Sequence, residues 1–454
     1  MSYLEHVAER FDLNRDIQLG TRVTQATFDE ASGRWEVRTD TGDVVSARFV
    51  ITALGALSAA NVPDVPGLEN FTGERYHTAE WPYEGVDFTG KRVGLIGTGA
   101  TGIQVATELA EQAKHLTVFQ RTPNYAVPLG NHPLDDELRR RYNENYDEIW
   151  EQVRHNFSGH DYEPIGRSLQ EATPEEREVA FRERYDRGGF GLWLGNYDDI
   201  LVNREANGAV SEWVRERIAE RIDDPATAEK LTPGDHAFGT KRVPLENGYY
   251  EIFNRDNVEL VDVKETPIEE ITPTGVRTRD GEHEFDALVF ATGFDAMTGP
   301  YNKIEIRGWG GQLLREKWAE GPHTYLGVMS AGFPNLFAVT GPQSPSVLTN
   351  MPVAIEQHVE WISGLIGHMR DTGLEVVEPT REAEEGWVKH SQEVAHATLF
   401  PESATWYMGA NIPGKPQVFL PYLGGLGPYR HKCDEVAANG YEGFAFASRE
   451  ETGA

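Results

Sequence analysis

One cysteine, Cys433, stands in 454 residues. A lone thiol cannot build an internal disulfide framework, a CxxC redox pair or a cysteine-rich metal site, so a disulfide reductase is excluded and no metal is expected. Long apolar runs are also missing: nothing reaches the roughly 18 uninterrupted apolar residues of a membrane-spanning helix. The opening MSYLEHVAERFDL has no basic end followed by an apolar run, so it does not read as a signal peptide, and a cytoplasmic address is the expectation. Lysine is scarce, and acidic residues outnumber basic ones 73 to 42 for a formal net charge of −31. Such charge repels phosphate backbones over most of a surface and argues against nucleic acid as a partner. An acidic, lysine-poor surface suits either a salt-rich cell or an ordinary acidic protein from a GC-rich genome. GxSxG, HExxH and Walker-type segments are absent, which removes the usual hydrolase and nucleotidase readings.

The length requires two or three domains, and a weak internal repeat shows how they are arranged. Arg34 to Gly55 read RWEVRTDTGDVVSARFVITALG, and Gly275 to Phe294 read GVRTRDGEHEFDALVFATGF. Each copy has a short alternating strand, a Gly-containing turn, a return strand and an apolar run. The closing runs Phe49 to Ala53 and Ala287 to Ala291 are predicted to be strands buried on both faces of a parallel sheet.

Ahead of the second copy lies KRVGLIGTGATGIQVATELAEQAKHLTVFQR, residues 91–121. The strand Val93 to Ile96 runs into Gly97, Thr98, Gly99, Ala100, Thr101 and Gly102, then a helix, then a second strand, Leu116 to Phe119. This is the strand, GxGxxG, helix, strand context of a dinucleotide site. Gly97 permits the tight turn, Gly99 lets backbone approach a pyrophosphate, and Gly102 lets the helix pack close to the strand. The helix N-terminus offers free N–H groups and partial positive charge to the phosphates. Where an NAD site usually carries an acidic residue, the second strand ends in Gln120, Arg121 and Thr122. An arginine there favours the 2′-phosphate of NADP. No glycine loop precedes the first copy of the repeat, only a helix-like stretch, Tyr3 to Phe11, and a predicted strand around Ile17 to Thr24. The charged segment Asn131 to His236 has apolar residues at helical spacing, such as Val210, Trp213, Val214 and Ile218, and is predicted to be a helical insertion. One strong helix is expected near Val353 to Met369, and a short strand at the end of KCDEVAANGYEGFAF.

Phe71, Gly73, His77, Trp81 and Pro82 lie in FTGERYHTAEWP, which resembles the FxGxxxHxxxW(P/D) fingerprint of Baeyer–Villiger monooxygenases. Taken alone, His77 reads as a packed loop histidine; in that family it is a linker residue coupled to domain motion, not a catalyst. The resemblance covers nearly the whole chain and implies an α/β, two-dinucleotide-binding-domain flavoprotein, Rossmann-like, with a helical insertion. It implies FAD and NADP as cofactors, and conversion of ketones to esters or lactones with O2 and NADPH through a flavin C4a-peroxide. Gly239-Thr240-Lys241-Arg242 resembles the segment in which Lys241 would help hold the 2′-phosphate and Arg242 would be the catalytic arginine. Ala291 to Asp295 resembles the segment joining the two nucleotide domains. Gly341 to Met351 resembles the loop beside the flavin, with Met351 as a flavin contact and Ser346 and Val347 in the ketone pocket. Trp406, Tyr407 and Asn411 to Lys415 resemble the segment folding over the nicotinamide. Gln104 and Thr122 join the expected cofactor-binding residues, as does Val23 for the adenine of FAD.

The match departs at its start. The family's first strand, its FAD glycine loop with an acidic ribose ligand, and a loop carrying an aspartate near the catalytic arginine are not in this sequence, and Ala56 stands where relatives often have Gln. The FAD domain is therefore expected to be incomplete. The resulting division is 1–82, the remnant of the FAD domain with the linker motif; 83–130 and 237–290, the NADP domain; 131–236, the insertion; and 291–454, the rest of the FAD domain. Two further readings stay open: a non-catalytic NADP-binding fragment lacking the FAD pyrophosphate site, and an N- or S-oxygenating flavin monooxygenase.

Overall fold

The computed structural model describes residues 2–448; Met1 and 449–454, at the ends of the 1–82 and 291–454 segments, lie outside the described residues. Helix α1 (Ser2–Arg10) opens the chain and buries nothing. A 3-10 turn, Leu13–Asp16, follows, and the first strand, β1, runs from Val23 to Asp29. The strand expected around Ile17 to Thr24 is thus displaced toward the C-terminus. Ile17 and Leu19 are 50% and 84% exposed, and Gly20 turns the chain with a φ of +64°. Apolar alternation holds a strand only where one face is covered.

Strands β1, β2 (Arg34–Thr39) and β3 (Val44–Ala47) form an antiparallel meander. It is anchored by the fully buried Trp35, whose indole N–H donates to the Pro334 carbonyl at 2.8 Å. Next comes β4 (Val50–Thr52).

The principal sheet is parallel. It contains β5 (Glu74–His77), β6 (Arg92–Ile96), β7 (His115–Gln120) and β8 (Val258–Asp262). A hairpin, β9 (Gly275–Thr278) and β10 (Gly281–Glu284), leads into its fifth strand, β11 (Ala287–Phe290). The spatial order is β8-β7-β6-β11-β5, every pair parallel. Val93 and Leu95 of β6 and the three residues Ala287, Leu288 and Val289 of β11 are all at 0% exposure, as continuous apolar strands of a covered parallel sheet must be. Helix α2 (Ala100–Gln112) connects β6 to β7 and buries Ile103, Ala106, Leu109 and Ala110. The chain leaves β6 toward β7 on one side, while β11 lies on the other, so the glycine loop sits at the point where strand order reverses. In open α/β sheets that crevice is where ligands bind.

Between β7 and β8 the structure is largely helical, including Tyr146–His155, Pro174–Arg187 and Arg204–Ala219. Thr173 and Glu176 close a capping box on the second of these, with Pro174 in its first turn, so the start of that helix is fixed locally. Val210, Trp213, Val214 and Ile218 are buried along the third and share one core with α2 and the sheet. Tyr407, Phe419 and Leu423, from late in the chain, join this same core.

The rest of the molecule gathers around helix α3 (Met351–Thr372), which buries Val353, His358, Trp361, Ile362, Leu365 and Met369 and ends at Gly373 with a φ of +74°, a left-handed stop that glycine adopts without strain. Strand β12 (Glu305–Arg307) adds to β1, and β13 (Leu336–Ala338) pairs in parallel with β4. The two-faced burial predicted for Phe49 to Ala53 is not found: Ile51 is 50% exposed, and among the described residues β4 has a strand partner on one edge only. No helix among the described residues is long and apolar enough to cross a membrane.

Candidate dinucleotide and oxygenation site

The glycine loop is built by steric necessity. Gly97 has a φ of +108°, and a Cβ there would lie 2.5 Å from the Ala291 carbonyl oxygen. A Cβ on Gly102 would meet the Gly97 oxygen at 2.1 Å, so α2 can approach β6 and β11 this closely only without a side chain. Gly99 is different: nothing lies within 4 Å of where its Cβ would be. It is the N-cap of α2 and carries no side-chain cap, leaving first-turn N–H groups to meet a phosphate across open space. Thr98 Oγ1 donates to the Thr122 carbonyl at 3.3 Å, tying the loop to the end of β7. Thr101 is exposed and Ala100 half-buried at the mouth of the turn. Gln104 points its amide nitrogen at the Leu245 carbonyl, 3.2 Å away.

Two cations converge beside this loop. Arg121 follows β7, and the charge of Arg121 reaches Lys241. Burial pulls the Lys241 ammonium below its usual pKa, Asp235 opposes the shift, and Lys264 and Arg121 add to it. The Asp235 carboxylate is held elsewhere, by His236 Nδ1 at 2.7 Å and Lys264 Nζ at 3.2 Å. Neither Arg121 nor Lys241 makes an ion pair or donates a side-chain hydrogen bond among the described residues. Two cations whose charges reach each other, neither of them held in an ion pair among the described residues, make a seat for an anion.

Arg242, the next residue, belongs to a different neighbourhood. Its guanidinium lies 5.1 Å from the centroid of the Phe190 ring and has no carboxylate partner among the described residues. The Asn124 amide holds its backbone through the Arg242 carbonyl at 3.0 Å. His160, whose ring is 5.9 Å from that of Phe190, has its pKa lowered by burial and then by the Arg242 charge. The same charge reaches the fully buried Tyr407. Motif reading offered no signal for Phe190 and His160, because they come from the insertion, whose residues reach this place only through tertiary packing.

A third cluster surrounds Ser346. Its hydroxyl is 3.9 Å from the sulfurs of both Met297 and Met351. Backbone at Met297, Thr340, Gln343 and Ser346 is left-handed, with φ of 63°, 51°, 65° and 39°, and all four residues are buried. Non-glycine residues in this region cost about 1–3 kcal/mol each and gather at functional sites. Nothing in the sequence marks them, since the strain exists only in the folded loop. Ala56, Ala296, Met297 and Leu420 pack together with Val347 and Trp406 against them. Helix α3 begins here at Met351 with no side chain capping its first turn. An apolar pocket wall, two thioethers and an uncapped helix start fit the ring end of a flavin, whose carbonyl edge is electron-rich. Val23, at the 36% exposed start of β1, is not part of this cluster. For a flavin pyrophosphate the sequence holds no second GxGxxG ahead of β4.

His77 closes β5. The Ala79 N–H donates to its Nδ1 at 3.1 Å, so the proton assigned to Nε2 faces Thr292 Oγ1 at 3.2 Å, and that hydroxyl donates to the Asn61 carbonyl at 2.5 Å. The linker is thereby stitched to the residues leaving β11.

The flavin-binding monooxygenase-like family matches residues 1–136. A Baeyer–Villiger monooxygenase of Pseudooceanicola batsensis is 46% identical over 443 residues, 97% of this chain and 80% of that protein. The chain belongs to the Baeyer–Villiger monooxygenase family. A phenazine N-monooxygenase of Lysobacter antibioticus is 43% identical over 99% of this chain and 82% of its own length. The crystal structure of OTEMO in complex with FAD and NADP superimposes with a TM-score of 0.95 at 42% identity, over 98% of this chain and 84% of that one. The two-dinucleotide flavoprotein architecture expected from the sequence is the architecture of this Baeyer–Villiger monooxygenase fold.

Proposed function

We propose that this chain oxygenates ketones, taking ketone, O2, NADPH and a proton to ester or lactone, water and NADP+, with FAD as the working cofactor. The observation that carries this reading is the pair Lys241 and Arg242: consecutive residues place unpartnered cations in two neighbourhoods, one with Arg121 by the glycine loop and one with Phe190, His160 and Tyr407. Gly97, Thr98, Gly99, Ala100, Thr101 and Gly102 would cradle the NADP pyrophosphate, with Gln104 beside them. Arg121, Thr122 and Lys241 would hold the 2′-phosphate. Met351 would meet the flavin ring, Val23 its adenine end, and Ser346 and Val347 the ketone. Bound FAD supplies the hydride acceptor and the activation of O2. The chain's own part is positional and electrostatic. Arg242 faces the negative charge that builds on the ketone oxygen as its carbonyl carbon is attacked, and one such fixed donor is worth about 3–4 kcal/mol of barrier. Trp406, packed against the cluster of Ala56, Ala296, Met297 and Leu420, would cover the nicotinamide and exclude water.

On this reading 83–130 and 237–290 form the NADP unit, 131–236 the insertion, and 1–82 with 291–454 the flavin side. A cytoplasmic setting suits the single cysteine, which is fully buried. N-oxygenation is the second reading, favoured by the relative that acts on a phenazine nitrogen. The deciding experiment incubates the purified yellow or colourless protein with NADPH, O2 and either cyclohexanone or phenazine. A yellow protein giving lactone supports the proposal, and a yellow protein giving only the N-oxide moves the assignment to the second reading. Colourless protein that binds NADP+ and makes neither product identifies a non-catalytic binding fragment.

A further inference from the structure

The segment after Trp406 is clamped to the chain leaving β11. Lys415 Nζ lies 2.5 Å from Asp295 Oδ1 and donates to the Ala296 carbonyl at 2.7 Å. Asn411 donates from Nδ2 to the Phe294 carbonyl at 2.8 Å. The Lys415 side chain is 9% exposed and that of Asp295 28%. A lysine that merely kept a loop in water would extend outward. This one lays its stem 3.1 Å from the Cβ position of Gly409 and brings its charge to one carboxylate. The pair also forms part of the wall of a cavity of about 270 Å³ that Thr298, Arg315 and Trp318 line as well.

The anchor on the other side is shared with the nucleotide loop. Ala291 donates its N–H to the Ile96 carbonyl at 2.9 Å, and its own carbonyl oxygen lies 2.5 Å from where a Cβ on Gly97 would be. Four residues later the same strand exit reaches Asp295. One short piece of chain therefore borders the glycine turn and grips the segment bearing Trp406.

We infer that Asp295 and Lys415 are a positioning pair that locks the Trp406 segment over the nicotinamide end of the dinucleotide site. The inference rests on the functional reading of Trp406 given above. It adds what fixes that residue in place: the segment bearing Trp406 is hydrogen-bonded to residues 294–296, a few positions along the chain from the Ala291 that packs on the glycine turn. The pair suits this role because the largely buried Lys415 ammonium has its hydrogen bonds on the Asp295 carboxylate and the Ala296 carbonyl of one stretch of chain.

The test compares wild type with Asp295→Asn, Lys415→Met, Lys415→Arg and the double variant Asp295→Asn with Lys415→Met, which leaves no charge buried alone. Hydrogen exchange is followed by mass spectrometry in peptides covering 404–418, and NADP+ affinity by calorimetry, both on the full chain. Exchange in 404–418 rises in the Asn, Met and double variants and returns toward wild type in Lys415→Arg. If the segment is then closed only a tenth of the time, NADP+ affinity falls about tenfold. Unchanged exchange overturns the lock, and raised exchange with unchanged NADP+ affinity overturns its role at the nicotinamide. A wild-type protein without affinity for NADP+ overturns the functional reading itself, and the lock's role with it.

Discussion

Strands β11 and β4 close two copies of one sequence pattern, yet they end in different surroundings. β11 is flanked by β6 and β5 and buried at every position, whereas among the described residues β4 pairs with β13 alone and leaves Ile51 half in water. The apolar run is equally persuasive in both. What differs is whether neighbouring elements cover it, and burial free energy is gained only when they do. The same contrast runs through the ligand sites. In the proposed assignment the nucleotide site draws its turn and helix start from the exit of β6 and its cations from Arg121, after β7, and Lys241, whereas the flavin site would be a cluster built on strained loop backbone.

The comparison can be broken or sharpened by measurement, beginning with the largest effect. Arg242→Ala should lower ketone oxygenation by about 100- to 1,000-fold, the usual loss for a fixed donor facing developing charge, while NADPH oxidation continues; undiminished ester formation in product analysis would remove Arg242 from the chemistry. Leu288→Ala in β11 should cost about 3 kcal/mol in denaturant unfolding, whereas Ile51→Ala in β4 should cost less than about 1 kcal/mol, as at surface positions generally. Equal losses would mean that β4 is covered in solution.

Acid should act on the flavin side through His358. The Thr340 N–H donates to its Nδ1 at 3.0 Å and its Nε2 meets the Tyr429 hydroxyl at 2.8 Å, an arrangement that needs the neutral ring. Complete burial lowers its pKa from 6.5 to about 4. The unfolded chain therefore takes the proton first; the contribution is intact above about pH 6.5 and is lost as pH falls toward about 4. His236, at the end of the 131–236 segment and also lowered to about 4 by burial, titrates in the same window. Melting temperature measured from pH 7.5 to 4.5 should drop, and a flat profile for wild type would contradict both assignments. The smallest effect is Arg121→Ala, which should weaken NADPH about tenfold, the scale of one lost charge-assisted hydrogen bond, with NADH nearly untouched. Equal loss for both nucleotides, measured by titration, would put the 2′-phosphate elsewhere.

Local sequence went far where function depends on contiguous residues. The phosphate turn, its helix and its flanking strands, residues 92–120, lie within a residue or so of expectation, because periodicity and glycine placement are short-range properties. Ile17 and Leu19 misled for the complementary reason: their alternation is real, but no surface meets it. Phe190 and His160 beside Arg242, the left-handed residues around Ser346, and the Lys415 grip on Asp295 were not legible, since each joins positions distant along the chain.

The amino-acid order alone therefore determined the strand, glycine turn and helix of residues 92–120 and a family fingerprint, both carried by residues whose conformations are set by near neighbours. Only the tertiary structure decided which cations are left without carboxylates, which apolar strand is covered, and what clamps the segment bearing Trp406. Those outcomes depend on the solvent and charge that the whole fold places around a side chain, and no window of sequence contains that environment.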